Sequence, residues 1–108
     1  MGKGEFLGEF EQLVLLAVMR LEDDAYGMTV RREIEDRTGR DVTIGAVYAT
    51  LDRLEQKALV RSKVGAPTHE RGGRAKRCFV VTPSGVSAVE QTQLALKRMT
   101  SGLRFGNA

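Results

Sequence analysis

The stretch Val42-Thr43-Ile44-Gly45-Ala46-Val47-Tyr48-Ala49-Thr50-Leu51-Asp52-Arg53-Leu54-Glu55 decides the fold. Val47, Leu51 and Leu54 recur at three- and four-residue steps, which gives a helix one buried stripe. Opposite them fall Gly45, Ala46, Ala49, Thr50 and Arg53, small or hydroxylated near the start and cationic further along. A helix faced in this way brings its backbone close to another surface before its side chains collide. Such a face suits entry into a DNA major groove, where short residues admit the helix and Arg reads guanine or holds a phosphate. The same pattern also fits an amphipathic helix whose outer face is merely solvated. The flanking segments have to decide.

Upstream, Asp24 is placed as the N-cap of a helix over 25–38, with Tyr26, Val30 and Ile34 inward and Gly39 closing it left-handed. Arg40-Asp41-Val42 then leads to Thr43, the cap of the decisive helix. Two helices joined by so short a turn form a helix-turn-helix. Downstream the period becomes extended: 59–64 and 77–82 read as strands, and 65–74 between them is rich in turn formers and base. A hairpin with a basic tip in that place is a wing. Thr82-Pro83 supplies a cap and a proline at the first helical position, so a last helix runs to about Leu103. Its Val89, Leu96 and Leu103 are seven apart and Met99 adds to the seam, although Thr92 interrupts it. The first helix, over 8–21, is apolar on most sides: Phe10, Leu13, Val14, Ala17, Val18 and Leu21 share a face, and Leu15, Leu16 and Met19 lie off it. A helix like that is buried on most sides, and in a chain this small a second copy is the expected cover.

The chain of 108 residues is long enough for one domain with a modest core. Lys and Arg number 17 against 14 Asp and Glu, and the excess is local: Arg61, Lys63, Arg71, Arg74, Lys76 and Arg77 face a single acid, Glu70, between 61 and 77. One cysteine excludes an internal disulfide and points to a reducing compartment. With no apolar run of membrane-spanning length and no signal-peptide core at the start, the expectation is a soluble, cytoplasmic protein without a membrane partner. His69 and Cys78 do not make a metal site between them, no base pairs with a nucleophile, and Gly72-Gly73 lacks a phosphate-loop context. No cofactor, no metal and no enzymatic activity are expected.

Leu7-Gly8-Glu9-Phe10-Glu11, Ala25-Tyr26-Gly27, Gly45-Ala46-Val47-Tyr48 with Leu51-Asp52-Arg53-Leu54, and the run from Gly72-Gly73-Arg74-Ala75-Lys76-Arg77 to Thr82-Pro83-Ser84-Gly85 together resemble the PadR family of bacterial transcriptional regulators. The single short C-terminal helix is similar to the smaller PadR subgroup. Ala58 and Cys78 depart from the family pattern, which often has Gly and an aromatic there. The resemblance implies a homodimeric winged helix-turn-helix repressor whose first and last helices form the interface. The expected architecture is mainly α with a small β-hairpin: residues 1–82 form the DNA-binding unit and 83–108 the dimerisation helix and tail.

Residues expected at double-stranded DNA are Tyr26, Thr43, Gly45, Ala46, Tyr48, Ala49, Thr50 and Arg53, with Arg71, Arg74, Lys76 and Arg77 from the wing. Those expected at the dimer interface are Phe10, Leu15, Leu16, Met19, Val89, Leu96, Met99 and Leu103. If a small apolar effector relieves repression, its pocket is expected at the seam of first and last helices, among Leu15, Met19 and Leu96 or Met99. The competing function class is a winged-helix module for protein contact, its basic wing binding an acidic partner.

Overall fold

The computed structural model describes residues 6–67 and 75–105. In chain order these form α1 (Glu9–Leu21), a 3-10 turn (Glu22–Asp24), α2 (Gly27–Thr38), α3 (Ile44–Gln56), β1 (Val60–Pro67), β2 (Ala75–Val81) and α4 (Pro83–Thr100). Four helices and one antiparallel hairpin reproduce the expected α+β winged architecture.

The start of α2 differs from the sequence expectation. Ala25 and Tyr26 are extended rather than helical, and Tyr26, not Asp24, holds the N-cap position. The competing structure is β2: the Phe79 N–H donates to the Ala25 carbonyl at 2.8 Å, and Tyr26 bridges antiparallel to Cys78. Thr29 supplies the capping group, its hydroxyl accepting the Tyr26 N–H at 3.0 Å and lying within reach of the Asp24 and Tyr26 carbonyls. The other starts follow the sequence signals. Thr43 Oγ1 accepts the Ala46 N–H at 3.1 Å, and Thr82 Oγ1 accepts the Gly85 N–H at 3.0 Å ahead of Pro83.

Helix α3 ends in a Schellman motif. The Leu59 N–H donates to the Leu54 carbonyl and the Ala58 N–H to that of Glu55, both at 2.9 Å, which forces Ala58 to a φ of 63°. An L side chain in that region costs about 1–2 kcal/mol. Ala58→Gly removes the strain but adds roughly 0.5–1 kcal/mol of chain entropy to the unfolded state. The net expectation is a gain of up to about 1.5 kcal/mol, visible as a raised thermal midpoint.

Phe79, Leu15, Leu51, Leu54, Val14, Val30, Val47 and Val60 are fully buried, with α1 packed against α2, α3, β2 and α4. The chain thus wraps its own first helix more completely than expected. Two residues assigned to the dimer interface are therefore corrected: Leu15 is wholly enclosed and Val89 is 5% exposed, both in the core of a single chain. Phe10 and Leu16 are half-buried, whereas Met19, Leu96, Met99 and Leu103 are exposed. Thr92, which interrupts the apolar seam, is also buried and has a partner, since its hydroxyl accepts the Leu7 N–H at 3.1 Å. Gly85 lets α4 approach the hairpin, because a Cβ there would overlap the Leu59 carbonyl and the Val81 side chain. In the hairpin Val60 pairs with Val81, Ser62 with Phe79 and Lys63 with Cys78, and the pairing shifts register between Val64 and Pro67. The pleat sends Val60 and Phe79 inward and Arg61, Lys63 and Val80 to solvent. Among the described residues no helix is long and apolar enough to cross a membrane.

Candidate nucleic-acid interface

Helix α3 buries Val47, Leu51 and Leu54, as its period predicts, and exposes Gly45, Ala46, Ala49 and Arg53. A Cβ built on Gly45 would meet nothing within 4 Å, so the space in front of the first turn is open. Thr50 does not belong to this face. It is 3% exposed, three residues after Val47 and four before Leu54, hence on the buried stripe. Its hydroxyl accepts an N–H from the Arg53 guanidinium at 3.2 Å. Its polarity suggested the outside; its helical phase puts it inside.

Tyr48 is 37% exposed, and its ring lies over the start of α2. Gly27 makes the fit possible, because any Cβ there would overlap the ring. Half-buried Tyr26, exposed Thr43 and the edge of Tyr48 thus accompany the first turns of α2 and α3.

A carboxylate that the sequence did not single out fixes the turn between the two helices. Glu35 accepts the Val42 N–H at 3.0 Å and pairs with Arg31 at 3.5 Å. The Val42 amide, opposed by partial desolvation and aided by Arg31, holds the Glu35 carboxyl below its ordinary range. Glu33 is lowered mainly by Arg37 at 2.6 Å, with Arg20 at 3.3 Å adding to it. At Glu11 burial favours the neutral acid, but the Gly8 N–H, Lys57 and Arg53 outweigh it and the shift is again downward. Glu55 is lowered first by the Ser62 hydroxyl and then by Arg77. Each depressed carboxyl contributes stability that is present above the unfolded-state value and lost as pH falls through the folded one. The thermal midpoint should therefore hold steady near neutrality and decline below about pH 5. Glu35→Gln should lower the midpoint at neutral pH and flatten that acid decline, as melts across a pH series would show.

Of the wing cations, Arg71 and Arg74 lie outside the described residues, as does the side chain of Lys76 within β2. Arg77 is described, and it is already occupied. Its guanidinium meets Glu55 at 2.7 Å and Asp52 at 3.5 Å, and stands 4.9 Å over the Phe79 ring. Arg53 is half exposed and reaches Glu11 at 3.9 Å. Arg40 pairs with Glu9 at 3.1 Å and lies over Phe10. No three His, Cys, Asp or Glu side chains among the described residues gather as a metal site, and His69 falls outside that set.

The family model for the transcriptional regulator PadR-like family matches residues 15–91, from the middle of α1 to the middle of α4. The chain belongs to that family. Among solved structures, RosR of H. salinarum is 26% identical and superposes with a TM-score of 0.67 over 91% of this chain and 81% of its own. A PadR family transcription regulator from Clostridium difficile shares 20% identity, with a TM-score of 0.70 over 86% of this chain and 95% of that one. A PadR-like transcriptional regulator from Bacillus cereus, 17% identical, gives 0.70 over 85% and 84%. The last two establish likeness of fold alone. An uncharacterised 37.1 kDa protein in transposon TN4556 of Streptomyces fradiae is 33% identical over 98 residues. The match covers 91% of this PadR-like chain and 26% of the relative, so the chain spans about a quarter of that protein's length.

Proposed function

We propose that this PadR-like regulator binds a palindromic operator as a homodimer and acts as a repressor. The observation that carries the reading is the open, small-residue face of α3 at Gly45, Ala46 and Ala49, mounted on a turn locked by Glu35. A backbone presented without bulky side chains can sit deep in a major groove. Tyr26, Thr43 and Tyr48 flank the approach and supply phosphate contacts; Arg53 holds phosphate or reads a guanine. Arg71, Arg74 and Lys76, which fall outside the described side chains, are the cations this reading assigns to the neighbouring minor groove. Residues 1–82 form the reading unit, and 83–108 the pairing element.

Leu16 and Met19 on α1, Leu96 and Met99 towards the end of α4 and Leu103 just beyond it are apolar groups left for a second copy. Leu96→Asp should convert a dimer to a monomer in light scattering without unfolding it, since Leu96 is 51% exposed in the single chain. Relief by a small apolar effector belongs to the same proposal. The groove of about 380 Å³ that Leu16 and Met19 line, with Leu13 and Ile34 beside them, lies between α1 and α2 and not at the expected seam of α1 and α4, so the proposed effector site moves there. A molecule there that prefers the DNA-free dimer lowers DNA affinity by the ratio of its two affinities. A gel shift with the protein's own upstream DNA against random DNA, in a salt series, tests the main claim. Selective retention of the upstream fragment supports it, and equal retention of both removes it.

A further inference from the structure

We infer that Arg77 is a positioning residue that docks the wing onto the recognition helix, rather than one of the wing's phosphate contacts. The inference rests on the DNA-binding reading above and specifies what sets the wing's place within it. Asp52 and Glu55 are three residues apart on α3, so both reach the hairpin from neighbouring turns. Arg77 on β2 takes both, Glu55 at 2.7 Å and Asp52 at 3.5 Å through two guanidinium nitrogens, while its Cζ stands 4.9 Å over the Phe79 ring. Glu55 also accepts the Ser62 hydroxyl from β1 at 2.7 Å. One carboxylate on the reading helix thereby holds both strands of the wing.

The charge balance argues that Arg77 stays where it is when DNA binds. If it left for a phosphate, Asp52 and Glu55 would stand unpaired on a helix facing a polyanion, and both would be repelled. Kept in place, Arg77 neutralises them and fixes the angle at which the hairpin leaves α3. The chemistry requires arginine. A planar fork can meet two carboxylates and stack on an aromatic ring, whereas lysine presents a single point charge on a flexible stem.

Arg77→Lys, Arg77→Gln, Glu55→Gln and the double variant Arg77→Gln/Glu55→Gln separate docking from phosphate contact, with circular dichroism confirming that each is folded. Binding to the upstream operator and to random DNA is measured across a salt series. Docking predicts that Arg77→Lys, which keeps the charge, still loses roughly tenfold in operator-over-random preference with its salt slope unchanged. It also predicts that the double variant is no worse than Arg77→Gln, because the two groups act as one unit. The inference is overturned if Arg77→Lys behaves like wild type while Arg77→Gln weakens both DNAs alike and lowers the salt slope by about one per protomer. It is equally overturned if Glu55→Gln tightens binding to both. If the wild-type protein shows no operator preference at all, the DNA-binding reading is what has failed. The same four variants then decide the docking by thermal unfolding: non-additive losses keep it, and additive ones remove it.

Discussion

Ala49→Trp should leave a folded protein that has lost operator recognition. Ala49 is exposed on the outward face of α3, so an added indole disturbs no core contact and should change stability by no more than about 0.5 kcal/mol. In the groove the same indole would fill the space that the bases need. Specific binding commonly exceeds non-specific by a factor of ~10³ or more. That margin should vanish, while the salt-dependent attraction of the remaining cations for any DNA persists. Fluorescence anisotropy with matched operator and scrambled duplexes would show two curves merging into one. Should the operator curve not move, α3 is not the reading element, and the competing view of the fold as a protein-contact module takes precedence.

The second large effect concerns stability. Phe79→Ala should cost about 3–5 kcal/mol, the usual penalty for removing a buried aromatic ring. Phe79 is 1% exposed and among the largest enclosed side chains, and its ring also carries the Arg77 guanidinium. Against a total of roughly 5–15 kcal/mol for a domain of this kind, such a loss removes a fifth or more of the stability. Val80→Ala, one position along and 42% exposed, should change little. Urea unfolding of the pair discriminates: similar midpoints would mean that the hairpin contributes little to the core.

How far the sequence spoke depended on whether the signal was periodic or long-range. Val47, Leu51 and Leu54 announced their helix through spacing alone, and Thr43 and Thr82 announced their caps through residue type and position. Asp24 misled because its short polar side chain suits a cap, while the competing strand pairing lay more than fifty residues downstream at Cys78 and Phe79. Thr50 is polar by residue type but lies inside by its helical phase, which is the stronger signal. Leu15 and Val89 lie in the core of one chain, which the sequence does not reveal because it does not show how fully one chain can enclose its own first helix. Ion pairs gave no warning at all. Nothing in local spacing links Glu35 to the Val42 amide or Arg77 to Glu55, although these contacts tie the turn and the wing to their helices.

The bridge between Tyr26 and Cys78 has a colloidal consequence. With β1 along one side and the Ala25–Tyr26 segment along the other, β2 offers a newcomer little free backbone. Among the described residues, the far side of β1 is the sheet margin left for another molecule to extend. Such margins template aggregation unless charge guards them. Arg61 and Lys63 stand exposed on β1, so an antiparallel copy attempting to zip onto it would bring cations against cations. The charge on these two residues therefore opposes polymerisation through the wing.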